Sequence, residues 1–190
     1  SWLKEIKKEA SKEIMKNKTL KRKNNLIYIL GTLGKGISAI DKKYTGADLF
    51  KETLDIIIKY TNYHILIKPH VITDMRTLNE ILLERDKKRF SIIHNHVSIL
   101  SQSSKILISN YFSQTIPDAW INGTKIIEYT KYDKKVLAYC KNSSVWEKYV
   151  DVFINGNKSM FINELKKKVT RKRRKISSEY SDQTEEVLGP

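Results

Sequence analysis

The sequence has almost no cysteine and no long apolar run. Its 190 residues include one cysteine, Cys140, which excludes a disulfide within the chain and most cysteine-based zinc sites. No apolar run approaches the roughly 20 residues that a membrane-spanning helix needs. Hydrophobic residues make up 40% and charged residues 30% of the chain, which suits one compact domain with solvated extensions. We therefore expect a cytoplasmic protein in a reducing environment.

The positive charge is concentrated near the two ends. The formal net charge is +15, of which residues 1–23 carry +6 and residues 166–175 carry +8, whereas residues 176–190 carry −4. The longer middle part, 24–165, carries only +5. The charge alone therefore does not make the middle of the chain a nucleic-acid-binding domain.

Three segments follow from this pattern. Residues 1–23 place Trp2, Leu3, Ile6, Ala10 and Ile14 at helical spacing among lysines, which predicts a basic amphipathic helix. This helix could pack on the domain, or it could bind an anionic membrane surface on the inner face of the membrane or a partner protein. Residues 24–165 form the predicted domain. Residues 166–190 are expected to finish a basic helix and to continue as a disordered acidic tail.

The middle of the chain alternates short β-rich apolar runs with helical patterns. Strands are predicted at 25–30, 63–68, 90–94, 105–109 and 125–129, and the segment 146–154 is predicted to end in a sixth strand. Helices are predicted at 46–60 and at 73–88, and Thr73 is expected to cap the second of these. Alternating strands and helices imply right-handed crossovers and parallel pairing. The predicted fold is an α/β, Rossmann-like, doubly wound parallel sheet of about six strands. Ligands of such sheets bind beyond the carboxyl ends of the strands.

The first strand ends in a glycine-rich segment that lacks the residues of known phosphate motifs. Gly34 and Gly36 fit part of the dinucleotide fingerprint, but no acidic residue follows the second strand. Ile37 stands where the Walker motif requires lysine. The segment is either a flexible turn or a loop over phosphates.

The second and third strands end in histidines. Lys68 and His70 follow the second strand and offer two hydrogen-bond donors to a diphosphate. His94 and His96 follow the third strand, but no third metal ligand is evident, so no metal site is predicted.

The fourth strand leads into the segment SNYFSQTIPDAW, residues 109–120. Thr115 and Asp118 have the spacing of a helix capping box, with Pro117 in the first turn. Capping does not account for Ser109, Ser113 and Gln114, which precede the predicted helix. Hydroxyl groups and free N–H groups at a helix start attract anions, so this segment is also a candidate phosphate site.

These motifs resemble the C-terminal donor-binding domain of bacterial GT-B-type transferases, in particular the CDP-glycerol glycerophosphotransferase and capsule polysaccharide transferase group. The resemblance covers about residues 25–165, and its specific part is some 30 residues. It matches His70 to the family's histidine after a strand, and Ser109, Tyr111 and Ser113 to its serine stretch. It also matches Asp118 with Ala119 to the family's acidic-alanine step, and Ile126 through Tyr129 with Asp133 to a following strand and its exit. Asn110 stands where the family usually has aspartate.

The resemblance implies transfer of a sugar or polyol phosphate from a nucleotide-activated donor during surface or capsular polysaccharide synthesis. His70 is the expected catalytic residue. Donor binding is expected at the following residues: Gly34, Gly36, Lys68, Ser109, Tyr111, Ser113, Gln114, Asp118 and Glu128. No cofactor other than the donor substrate is implied. The chain would form one half of a GT-B architecture, so a partner subunit with the acceptor domain is a further expectation.

Two alternatives remain open at this level. The domain could bind a nucleotide sugar without catalysis, as a scaffold, or the basic segments could bind nucleic acid. Recognised RNA-binding signatures are absent and the aromatic residues do not cluster with the basic runs. Nucleic acid is therefore the less favoured partner.

Overall fold

The computed structural model describes residues 2–22, 24–34 and 39–170, without the side chains of residues 2–4, 6 and 7. Seven α-helices and six β-strands occur in these residues, joined by loops and two short 3-10 helices. In chain order they are α1 (Trp2–Lys16), β1 (Asn25–Ile29), α2 (Gly46–Tyr60), β2 (His64–Lys68), α3 (Met75–Leu83), β3 (Phe90–Ile92), α4 (Val97–Ser103), β4 (Ser104–Ser109), α5 (Ile116–Ile121), β5 (Lys125–Thr130), α6 (Lys134–Tyr139), β6 (Val152–Asn155) and α7 (Lys158–Lys166).

The six strands form one parallel sheet in the order β3-β2-β1-β4-β5-β6. The chain moves outward in one direction from β1 through β2 to β3, then returns to the centre and moves outward in the other direction from β4. This is the strand order of Rossmann-like folds. The predicted α/β class, parallel pairing and strand number are confirmed.

Helices cover both faces of the sheet. Side chains of α2, α3 and α7 pack on one face, where Leu54, Leu78 and Phe161 are almost fully buried. Residues of α4 and α5 cover the other face together with the segment after α1, including Leu20 and Leu100. The buried strands therefore consist of apolar, mostly β-branched residues on both sides, as parallel sheets require.

The third and last helices differ from their predicted limits. Asp74, not Thr73, caps α3, because its side chain accepts hydrogen bonds from Arg76 N (3.0 Å) and Thr77 N (3.4 Å). The helix α7 ends at Lys166, where Lys167 adopts an extended backbone conformation. The expected helical continuation to residue 175 is therefore absent over residues 167–170, and residues 171–190, including the predicted acidic tail, lie outside the described part.

The amino-terminal helix packs on the domain. Ala10 is 1% exposed, Ile14 packs against the core on the α4 face, and Asn95 Nδ2 donates to Glu13 Oε2 (3.4 Å). These contacts favour the first of the alternatives that the sequence left open for residues 1–23. The side chains of Trp2, Leu3 and Ile6 lie outside the described part.

A buried asparagine joins the centre of the sheet to α2. Asn110 directly follows β4 and is 2% exposed. Its Nδ2 donates to Tyr129 O (2.7 Å) and Thr53 Oγ1 (3.0 Å), and its Oδ1 accepts from the Tyr28 hydroxyl. Because the Tyr129 carbonyl can only accept, this position needs a side chain that donates. Asparagine satisfies this need, whereas the aspartate that is usual in the resembling family would not when ionised.

Replacing this amide with a carboxylate should destabilise the fold. Asn110→Asp leaves the buried Tyr129 carbonyl without its donor and places a negative charge 2.7 Å from it. We expect a loss of about 1–3 kcal/mol in the free energy of unfolding at pH 7, measured by urea denaturation. The control Asn62→Asp changes an exposed side chain and should alter stability by less than about 0.5 kcal/mol. Equal effects of the two changes would contradict the role assigned to Asn110.

Candidate functional site

A cleft of about 600 Å³ opens where the loops after β1 and β4 diverge. The two strands are neighbours, but the chain continues from β1 toward β3 on one side of the sheet and from β4 toward β6 on the other. Rossmann-like folds bind ligands at such switch points. Five of the predicted site residues line this cleft: His70, Ser109, Tyr111, Ser113 and Gln114. Residues the sequence analysis did not select also line it, among them Gly31, Thr32, Ile72, Phe112, Thr115 and Trp146.

The loop after β2 holds His70 in a defined orientation. Its backbone N–H donates to Thr73 Oγ1 (2.9 Å), and the Thr73 hydroxyl donates to Gly31 O after β1 (2.8 Å). Ile72 N donates to His70 Nδ1 (3.3 Å). Because a backbone N–H can only donate, Nδ1 must be unprotonated, and the neutral ring carries its proton on Nε2. His70 is exposed at the cleft, so Nε2–H is a hydrogen-bond donor available to a ligand.

The loop after β4 uses part of its polar side chains for its own structure. The Ser109 hydroxyl donates to Tyr111 O and accepts from Tyr111 N (3.2 Å). The Tyr111 ring packs against Gly31, where an added methyl group would lie 3.1 Å from Tyr111 Cδ2. Gly31 therefore allows the two loops to approach closely, and Tyr111 forms part of the cleft wall.

The start of α5 differs from the predicted capping box. The Thr115 side chain accepts no hydrogen bond from the helix, and its backbone is already helical (φ −85°, ψ −6°). Ser113 supplies the local contacts instead: its carbonyl accepts from Ile116 N (3.1 Å), and its hydroxyl lies 3.0 Å from Thr115 Oγ1. Gln114 is exposed, and its amide forms no hydrogen bond with another described residue. Two hydroxyls and one amide thus border the cleft here.

The described lining of the cleft carries no formal charge. No Lys, Arg, Asp or Glu is among these residues. The apolar part of the lining includes Trp146, whose buried Nε1 has no hydrogen-bond acceptor within the described part of the chain. A tryptophan after a serine pair has no recognisable motif, which is why the sequence analysis missed it. Thr73 was missed as a site residue because a threonine before a helix more commonly indicates a cap.

Four predicted site residues in the described part of the chain do not line the cleft: Lys68, Gly34, Asp118 and Glu128. Lys68 Nζ donates to the carbonyl of its neighbour Pro69 (3.2 Å), and burial lowers the pKa of its amine. Burial raises the pKa of the Asp118 carboxyl, against the effect of His96, whose Nε2 lies 3.9 Å from Asp118 Oδ2. Gly34 lies in the loop before α2, with its N–H donating to Thr32 Oγ1 (3.2 Å). Gly36 falls outside the described residues.

The amino terminus of α2, where Rossmann proteins bind pyrophosphate, is already occupied by protein groups. Gly46 N donates to Gly34 O (3.3 Å), Ala47 N to Leu33 O (3.0 Å) and Asp48 N to Thr45 Oγ1 (3.0 Å). A ligand would have to displace these contacts and face the Asp48 carboxylate. This agrees with the incomplete dinucleotide motif of the sequence and leaves the cleft as the candidate phosphate site.

Glu128 is buried behind the cleft, not exposed in it. Its side chain is fully buried, Ser144 Oγ donates to its Oε2 (2.6 Å), and the Tyr132 side chain also hydrogen-bonds to the carboxyl. Burial raises the pKa of the Glu128 carboxyl, and the Ser144 hydrogen bond opposes this effect more weakly. The predicted contact of Glu128 with a donor therefore has no support from its position.

The described residues contain neither a cluster of metal ligands nor a helix that could span a membrane. No group of three or more His, Cys, Asp or Glu side chains within residues 2–22, 24–34 and 39–170 is arranged to hold a metal ion. His96 instead caps α4, accepting from Ser98 N (3.3 Å). None of the helices in this part of the chain is both long enough and apolar enough to cross a membrane.

A scan of the sequence against protein-family models found no match, and a search of curated proteins found no match either.

Changing Glu128 to glutamine should stabilise the protein at high pH. Between the usual glutamate pKa and the raised one, the folded protein keeps the proton that the unfolded chain has lost, so stability falls as the pH rises through this range. Glu128→Gln removes that loss and keeps an oxygen for Ser144. We expect a higher melting temperature than wild type at pH 8 and a difference that shrinks toward pH 4.

The exposed Glu147 provides the control. Glu147→Gln should show no such pH-dependent difference from wild type. A Glu128→Gln protein that is less stable than wild type at pH 8 would show that the ionised carboxylate is favourable in the fold.

Proposed function

We propose that the cleft binds a nucleotide-activated sugar or polyol donor and that the domain is the donor-binding part of a glycosyl or polyol-phosphate transferase. The supporting observation is that five residues selected from the ends of two strands, His70, Ser109, Tyr111, Ser113 and Gln114, line one cleft at the switch point. Its volume of about 600 Å³ is within the usual range of small-molecule sites.

The polar groups of the cleft suit the phosphates of such a donor. His70 Nε2–H, the Gln114 amide and one hydroxyl of the Ser113–Thr115 pair can donate to phosphate oxygens, because the other hydroxyl proton is used in the hydrogen bond within that pair. Phosphates bind to neutral donors in many proteins, and hydrogen bonds to a charged group are the stronger ones. The apolar surfaces of Trp146 and Phe112 would contact the base or the sugar.

In the proposed transfer, the oxygen of an acceptor hydroxyl forms a bond to the sugar carbon or to phosphorus as the bond to the nucleotide phosphate breaks, and the hydroxyl proton passes to solvent or to a base outside this cleft. The electron pair of that bond remains on the departing phosphate, so donors placed there stabilise the transition state. The tautomer set by Ile72 N makes His70 a donor and not a base. His70 would therefore stabilise the leaving phosphate. The donor itself is the substrate, and we propose no additional cofactor.

A second candidate is binding without turnover. It is favoured by the absence of a carboxylate from the described lining of the cleft, since a carboxylate is a common base for an acceptor hydroxyl. In that case the chain would present a nucleotide sugar to a partner subunit that carries the acceptor domain. Either role would place the protein in the cytoplasm, where nucleotide-activated donors for surface polysaccharides are made.

Donor binding can be measured by calorimetry with UDP-glucose, CDP-glycerol and a CMP-linked sugar. We expect one of them to bind. His70→Ala or Ser113→Ala should each weaken binding by about 1.5–3 kcal/mol, roughly 10- to 150-fold in Kd, because a donor to a charged phosphate oxygen is lost. Ser113→Ala also removes the contacts of its hydroxyl with Thr115, so its melting temperature should fall by a few degrees at most, and that of His70→Ala should stay within the same range.

His94→Ala is the matched control, since His94 is an exposed histidine that does not line the described cleft. It should leave both affinity and melting temperature unchanged. Failure of the folded wild-type protein to bind any of the three donors would contradict the proposal. A lower melting temperature with unchanged affinity in the His70 and Ser113 variants would show that these groups are structural.

A further inference from the structure

The amino-terminal ends of the strands form the end of the sheet opposite the cleft. Basic side chains from distant parts of the sequence lie together along this edge. They come from the segments before β1 and β3, from the first residues of β4 and β5 and from the end of α7 with the residues after it: Lys21, Arg22, Lys87, Lys88, Lys105, Lys125, Lys166, Lys167 and Lys168. We call this set the basic edge. The part of Lys87, Lys88 and Lys105 in the basic edge was not expected, because most of the excess charge in the sequence lies near the chain ends.

Contacts connect the members of this set that lie near the starts of β1 to β4. Lys21, Arg22 and Lys105 line one groove of about 380 Å³. Arg22 Nη1 lies 3.0 Å from His64 Nδ1, and the Lys88 carbonyl lies 3.2 Å from the same atom. These contacts connect the starts of β1, β2 and β3.

The other end of the edge has its own groove. Lys125, Lys167 and Lys168 line a second groove of about 370 Å³ beside β5 and β6. With strands about 4.8 Å apart, six strands give the basic edge a length of roughly 24 Å.

Part of this charge is used within the fold. Glu164 pairs with Lys125 (2.8 Å) and with Lys167, and lysines in the last turn of a helix interact favourably with its dipole. In contrast, Lys21, Lys88, Lys105 and Lys168 are exposed, and none of them forms an ion pair with another described residue. The acidic residues near the edge are fewer than the basic ones: Glu84, Asp86, Asp151 and Glu164. The edge therefore keeps an excess of positive charge facing solvent.

Two exposed apolar side chains occur among these lysines. Met15, in the last turn of α1, is 71% exposed, and Leu83, the last residue of α3, is 66% exposed. Met15 follows Ile14, which lines the groove with Lys21 and Lys105, and Leu83 precedes the short segment that leads into β3. A surface that combines lysines with isolated apolar side chains suits the interface of an anionic bilayer, where the charges meet lipid headgroups and the apolar groups enter the acyl boundary. Nucleic-acid phosphates would leave Met15 and Leu83 in water.

We propose that the basic edge docks the protein on an anionic lipid membrane. This proposal is independent of what the cleft binds. In this orientation the cleft lies at the far end of the strands, roughly 17–20 Å from the lipid surface, given strands of five to six residues. The cleft would open toward the aqueous side, so a soluble ligand could reach it while the protein is docked.

The test is sedimentation of the full chain with vesicles of phosphatidylcholine containing about 30% phosphatidylserine, in low and high salt. The wild type should bind, and binding should fall steeply as the salt rises from about 0.05 M to about 0.5 M. Replacing Lys21, Lys88, Lys105 and Lys168 together by glutamine should reduce the binding constant for the vesicles by at least about tenfold. Residues 171–175 remain in every variant, so the comparison isolates the basic edge.

A matched control changes four exposed lysines at the opposite edge of the sheet. Lys42, Lys43, Lys134 and Lys135 lie beyond the carboxyl ends of the strands, and their replacement by glutamine removes the same net charge. This control should bind vesicles within about twofold of wild type if location matters more than total charge. An equal loss in the two quadruple variants would overturn the proposal.

Two further measurements separate lipid from other partners and from loss of folding. Met15→Gln with Leu83→Gln leaves every charge in place and should still weaken vesicle binding, because the apolar groups no longer enter the bilayer. Unchanged vesicle binding by that variant, or tighter binding of the wild type to a short DNA duplex than to vesicles, would overturn the lipid proposal. Melting temperatures of all variants within a few degrees of wild type, by circular dichroism, would exclude unfolding as the cause.

Discussion

The side-by-side pairing of β1 and β4 is the constraint on which the rest of the molecule depends. These strands are distant in sequence, pair in parallel at the centre of the sheet, and send the chain to opposite ends of it. The loops that follow them must therefore diverge, and the cleft is the space between them. Asn110 stabilises this point because its amide bonds at once to Tyr129 and Thr53 and accepts from Tyr28.

Hydrogen bonds within the fold determine which polar groups of the cleft can contact a ligand. Ser109 and Thr73 use their hydroxyls for the loops, and the first N–H groups of α2 are bonded to protein acceptors. His70 Nε2–H and the Gln114 amide are left facing the cleft. A site of neutral donors beside apolar walls favours binding of a phosphate ester whose charge is only partly desolvated, which is consistent with the proposed donor and with a cleft that lacks charged residues in its described lining.

The end of the sheet where the strands begin carries more basic side chains than the lining of the cleft, and this difference has a structural reason. In a parallel sheet with covering helices, the strands begin and the helices end at the same edge. Lysines are favourable at helix carboxyl termini, so this edge accumulates positive charge at little cost to stability. The opposite edge carries the cleft. The proposed membrane surface and the proposed donor site are thereby separated by the length of a strand.

Three features could be predicted from the sequence: the six strands, the parallel α/β class, and the position of a site at the carboxyl ends of the strands. They depend on a local pattern, because short apolar β-branched runs alternate with amphipathic helices. The sequence also selected His70, Ser113 and Gln114. The strand order decided the rest. It placed Glu128 in the interior beside Ser144 and Asp118 beside His96, and it joined Thr73 to Gly31 across two loops. A hydroxyl or carboxylate has the same local sequence signature whether it is free or bonded, since the partner that uses it lies far along the chain. Only the tertiary structure brings that partner within hydrogen-bonding distance.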